Sequence, residues 1–157
     1  MTDNKLQKQF KQEVSSLQLQ MEAMANGETI VVGTKEAPIV TNSDLIPNKH
    51  YIMDGVYIRE MSMKKGIAVV GAIHKHLHMC FLLTGRVTVI NEKETVDHIA
   101  PCFIVSTPGI KRVLYAHEDS IWFNTHKNPT NTEDIKQLEK EIVAISYEEY
   151  EEYIKNK

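Results

Sequence analysis

The chain has 157 residues, of which 42% are hydrophobic and 25% charged, and its formal net charge is −3. That length suits one domain able to close a sizeable apolar core without disulfide or metal staples. The weakly acidic balance disfavours a nucleic-acid binder with a basic face, and no apolar run approaches the ~20 residues of a membrane span.

The N-terminus, Met1-Thr-Asp-Asn-Lys5, leads into glutamine-rich sequence rather than the apolar core of a signal peptide. Residues 4–25 read as a helix, because Leu6, Phe10, Val14, Leu17, Met21 and Met24 recur at spacings of three and four. This stripe is expected to lie on the body of the protein or on a partner subunit, since propensity alone does not sustain so long a helix. Asn26-Gly27 supplies its stop.

From residue 28 the periodicity shortens. Apolar runs occur at Thr29–Val32, Ile39–Thr41, Tyr51–Met53, Val56–Met61, Ile67–Val70, Met79–Leu83, Val87–Ile90, Phe103–Val105, Val113–Tyr115 and Ile121–Phe123. Gly55, Gly66, Gly85, Asn91, Pro108-Gly109 and Asp119 mark the turns between them. Many short strands at about ten-residue spacing argue a sandwich or barrel. Cys80 and Cys102 each sit in an apolar run and read as buried thiols, which together with the N-terminus suggests a cytoplasmic protein. Thr132 is a candidate cap for a helix beginning at Glu133, with Ile135, Leu138, Ile142 and Ile145 on its apolar face. Ser146-Tyr-Glu-Glu149 is a capping-box pattern for a second short helix. The chain thus divides into a helical extension at 1–27, a β-barrel at 28–128 and a C-terminal helical extension at 129–157.

The chemistry concentrates in Gly71-Ala-Ile-His74-Lys-His76-Leu-His78-Met-Cys80, where three of seven histidines fall within five residues. If the segment stays extended, even spacing points all three imidazoles one way. They form either a ligand cluster for a transition metal or a polar strand end with exposed rings. His117, in an Ala-His-Glu-Asp turn, reads as structural, and His50 and His98 carry no signal.

This stretch resembles the first motif of the cupin superfamily, in which a histidine pair precedes a glutamate, six residues and a glycine. Counting back from Gly85, the glutamate position falls on His78 and the histidine positions on Ala72 and His74. Thr107-Pro108-Gly109-Ile-Lys-Arg112 resembles the second motif, with Arg112 at its histidine position. The likeness covers about residues 51–126 and implies a mainly β, cupin-like jelly-roll barrel. It keeps only His74 of four ligand positions. The implied path pairs the strand starting near His78 antiparallel with the last strand, whose end, His126, then arrives beside His78. The resulting set is His74, His78 and His126, with His76 as a spare ligand or pocket wall. Zinc, iron, nickel, copper and manganese are candidate ions.

Arg112 has three readings: a rim group for the carboxylate or phosphate of a substrate, part of a metal-free anion pocket, or a salt bridge to an acidic residue such as Glu60. Trp122 either floors the pocket or is core, and Tyr115 and Asn124 are pocket hydrogen-bonders or satisfied core polar groups. Residues 71–150 also resemble small, largely uncharacterised cupin-like proteins encoded in tailed bacteriophage genomes, which implies a viral protein in the host cytoplasm.

Three functions follow. The first is a metal-binding barrel acting on a small anionic molecule. The second is a non-catalytic module that sequesters an anionic or nucleotide-like ligand. The third is a phage assembly component using the barrel as scaffold. A homodimer or higher homo-oligomer is expected in each, with neither membrane nor nucleic acid as partner.

Overall fold

The computed structural model of the protein describes residues 2–25 and 44–157. The expected helix stop at Asn26-Gly27 and the runs at 29–32 and 39–41 lie outside the described residues. Helix α1 spans Thr2–Met24. The strands that follow are β1 (Asn48–Met53), β2 (Val56–Met63), β3 (Ala68–Val70), β4 (Ile73–His74), β5 (His78–Thr84), β6 (Arg86–Ile90), β7 (Thr95–Ile99), β8 (Cys102–Ser106), β9 (Val113–Ala116) and β10 (Ser120–Lys127). Helix α2 (Ile135–Ile142), strand β11 (Val143–Ala144) and helix α3 (Tyr147–Lys155) complete the chain.

Two antiparallel sheets carry the body, in the orders β1-β2-β10-β5-β8 and β3-β9-β6-β7. Alternation along the strands sends one set of side chains between them. Met61, Met63, Cys80, Leu82 and Trp122 of the first sheet meet Val87, Val89, Leu114 and Ala116 of the second in one buried cluster. Each apolar side chain so buried contributes about 1.5–3 kcal/mol. The sheets are not closed on each other by a continuous hydrogen-bond ladder among the described residues. Gly85 makes the tight β5–β6 turn at φ +83°, and an added Cβ would lie 2.6 Å from the Asp119 carbonyl oxygen. Only glycine fits that combination.

Several expectations are corrected. The α1 seam is rotated from the expected stripe: Val14 is buried and Phe10, Gln18 and Met21 are half-buried, whereas Leu6, Leu17 and Met24 are exposed. The reason is polar, because Gln18 bonds the ammonium of Lys111, which also donates to the Ile145 carbonyl at 2.8 Å. Helix α2 starts two residues late, with Asp134 rather than Thr132 as cap, accepting from Lys136 N at 2.9 Å. Thr132 is held back in a turn by Asn128, which bonds its N–H and its carbonyl. The helix also stops at Ile142, before Ile145, because Val143–Ala144 leave it to pair with Ile73–His74. Ser146 caps α3 as expected, accepting from Glu149 N at 3.2 Å. Strands β4, β7 and β11 had no expected counterpart; β4 and β11 have only two residues each. Cys102 is half-buried rather than buried.

Candidate functional site

Register across the larger sheet builds the site in three rows. The outermost holds Tyr57 opposite His126 and His78 opposite Ser106. The middle row runs Arg59, Asn124, Cys80, Ile104 across β2, β10, β5 and β8. The deepest runs Met61, Trp122, Leu82, Cys102. This face of the sheet is therefore imidazole-rich at one end, polar in the middle and apolar beyond.

His78 and His126 meet because their strands pair, and their ring centroids are 4.7 Å apart. His74 arrives differently from the expected extended segment. The chain bends over Lys75–Leu77, so His74 belongs to β4 and crosses to the other two, 4.0 Å from His78 and 5.1 Å from His126 between centroids. Its backbone is fixed on both sides, by β11 in register and by the Gly109 N–H donating to the His74 carbonyl at 3.0 Å. His76, in the bend, is half-buried and stands at right angles to His126, 5.5 Å away. Leu138, Ile142 and Val143 pack with Tyr57 in a second buried cluster, so the C-terminal segment supports this end of the barrel.

The candidate ligand atoms of His74, His78 and His126 all lie within 4.8 Å of one another. The Nε2 of His74 and both ring nitrogens of His126 are buried without a hydrogen-bond partner. Burial and mutual proximity hold the His74 and His126 imidazoles well below the usual histidine range, and burial pushes His78 down to about 3. All three are neutral at pH 7, the state in which imidazole offers a lone pair. The Nδ1 of His78 lies 3.3 Å from the His76 carbonyl, which orients that ring with Nε2 facing inward.

Arg112 is buried, 8% exposed, and its Nη1 donates to Cys80 Sγ at 3.8 Å. The Glu60 salt bridge is overturned: Glu60 takes Lys49 Nζ at 3.1 Å and Tyr51 Oη at 2.7 Å, on the outer face of the sheet. Trp122 belongs to the core cluster, and its indole donates to Asn124 Oδ1 at 3.1 Å. Asn124 also accepts from the Cys80 thiol at 3.3 Å, so it is a satisfied buried polar group. Tyr115 is neither pocket nor core; it lies exposed against His117. His117 pairs with Thr88 on the smaller sheet.

Three contributors escaped sequence reasoning. His50 puts Nδ1 2.7 Å from the Tyr57 hydroxyl, and Tyr57 stacks on His126. Ser106 is buried in the row of His78 with an unpartnered hydroxyl. Arg59, 7% exposed, faces inward beside Asn124 with Nε and Nη1 unpartnered. The available signal was parity: Tyr57, Arg59, Met61 and Met63 alternate on one face of β2, so an arginine there points inward with its apolar neighbours.

No protein-family model matches the chain, and no curated protein matches it. Solved structures do. A salicylate 1,2-dioxygenase from Pseudaminobacter salicylatoxidans aligns with 74% of this chain at 13% identity and a TM-score of 0.50, and the match covers 32% of that larger enzyme. A KdgF from Halomonas sp. aligns with 56% of this chain and 84% of its own at 14% identity, TM-score 0.49. A cupin superfamily protein from Desulfitobacterium hafniense aligns with 62% and 95% at 12% identity, TM-score 0.49. The strand order and the dioxygenase likeness define the fold as a cupin-like jelly roll. No helix among the described residues is long and apolar enough to cross a membrane.

Proposed function

We propose that the chain binds one transition-metal ion through His74, His78 and His126 and uses it to hold and act on a small anionic molecule. The observation that carries this reading is the convergence of three buried, neutral imidazoles to within 4.8 Å, with nitrogens of His74 and His126 left unpartnered. Burying polar nitrogens without partners costs about 1–3 kcal/mol each, and a metal removes that cost. An all-imidazole set suits zinc, iron, nickel or copper, with manganese the poorer fit. When bound, such an ion supplies a Lewis acid with open coordination positions.

The chain's own groups do the rest. Tyr57 backs the His126 ring, and burial pushes its hydroxyl up to about 12, so it stays protonated beside His50. Trp122 and Leu82 exclude water from the floor. Arg112 orients the anionic end of the substrate. The second reading, capture of an anion without chemistry, draws on the same Arg112. Elemental analysis of untagged protein by plasma mass spectrometry, after dialysis without chelator, separates the two. Near one equivalent of a transition metal per chain is expected. Failure to take up zinc, iron, nickel or manganese on incubation would overturn the metal reading.

A further inference from the structure

Among the described residues, the interior beneath the histidines holds more positive than negative charge. Five charged side chains are buried among the described residues: Arg59, Glu60, Lys111, Arg112 and Glu139. Glu60 faces outward to Lys49 and Tyr51. Lys111 faces α1 and the Ile145 carbonyl. That leaves Arg59, Arg112 and Glu139 towards the pocket. Arg59 and Arg112 both act electrostatically on His74, His78 and Cys80, so both heads share this interior. Glu139 stands in electrostatic reach of Arg59 and Tyr57. Two guanidinium groups against one carboxylate leave a positive excess, and a divalent ion on the histidines would raise it. A buried uncompensated charge is costly, and Arg59 keeps two unsatisfied donors, Nε and Nη1, in a side chain only 7% exposed.

We infer that Arg59 and Arg112 form a carboxylate subsite beneath the histidines, which sets the substrate class as small carboxylates whose other end reaches the metal. Planar forks with adjacent donors match a carboxylate edge. The metal-side half of this inference rests on the function proposed above; the anion subsite does not.

The test uses the full chain, both chelator-treated and loaded with nickel, with glycolate as probe and glycolamide and inorganic phosphate as comparisons in calorimetric titrations. Wild type is expected to bind glycolate in the loaded form, and to bind glycolamide and phosphate at least tenfold more weakly. Arg59→Met should lose at least tenfold in glycolate affinity at unchanged nickel content, with Arg59→Lys recovering part of it. Because Arg59 is a buried cation with two unsatisfied donors, Arg59→Met should also raise the thermal midpoint of the ligand-free protein, whereas a structural arginine would lower it. Equal glycolate affinity in Arg59→Met, equal binding of glycolamide, tighter binding of phosphate, or an Arg59→Met protein that fails to fold would each overturn the subsite. Glycolate binding that depends on Arg59 in protein that takes up no nickel would support the subsite and remove the metal reading. Nickel uptake without glycolate binding would do the reverse.

Discussion

Acidification of the metal-free protein gives a quantitative test of the buried imidazoles. An unfolded histidine titrates near 6.5, and His74, His78 and His126 titrate well below that in the fold because burial disfavours their charged form. Between those limits the unfolded chain binds more protons than the folded one, so stability rises with pH. It is fully present above 6.5 and is lost as pH falls towards about 3, the value for His78. Each such histidine contributes a slope of about 1.4 kcal/mol per pH unit. From pH 7.5 to 5.0 the loss is about 2 kcal/mol for His78, and His74 and His126 add losses of the same sign. The sum is a large share of the stability of an ordinary domain. Burial also lowers His50, His76 and His98, adding smaller losses of the same sign. Lys111, lowered to about 8, is charged in the fold throughout most of this interval and contributes little to the slope. Glu60, Asp97 and Asp119 are lowered carboxylates whose effects fall below pH 4.5. Urea unfolding followed by fluorescence of Trp122, with chelator present, reads the effect directly. His126→Gln should reduce the loss. Wild-type stability unchanged or higher at pH 5.0, or a His126→Gln protein with the wild-type slope, would refute the account of neutral buried rings.

Three further outcomes follow from the same geometry. His78→Ala and His126→Ala should each lower bound metal to a small fraction of an equivalent by plasma mass spectrometry, while His117→Ala, on the smaller sheet beside Thr88, leaves it intact. Gly85→Ala combines a left-handed φ with a Cβ 2.6 Å from a carbonyl oxygen and should cost about 2–4 kcal/mol in denaturant titrations. Gly55→Ala, with φ +75° but nothing within 4 Å, should cost only about 1 kcal/mol. Leu138→Ala empties a fully buried position against Tyr57 and should cost about 2–5 kcal/mol of stability. Because α2 leads into the strand that fixes His74, it should also weaken metal uptake about tenfold in competition with a chelator.

The amino-acid sequence alone determined the strand-rich class and the turns. These are local properties: alternation fixes which side chains share a face, and glycines and Pro108 punctuate the strands. The pairing that sets His126 beside His78 joins distant strands and was legible only through the resemblance to the cupin motifs. His74 was legible as a residue, but not the reason for its position. That reason is a bend at Lys75–Leu77 and a two-residue pairing with Val143–Ala144, some seventy residues away in the chain. A pairing that short leaves no periodic trace. The α1 seam was misplaced for a related reason: hydrophobicity favours Leu17, but the buried ammonium of Lys111 needs an oxygen, and Gln18 provides one. Arg59 shared the parity of Tyr57, Met61 and Met63, a signal present in the sequence, whereas Ser106 became visible only once β8 had a neighbour, because inward and outward faces look alike in a strand until a core tells them apart. Only the tertiary structure decided that two buried guanidinium groups gather near three neutral histidines, since the charge balance of an interior depends on what is brought together in space.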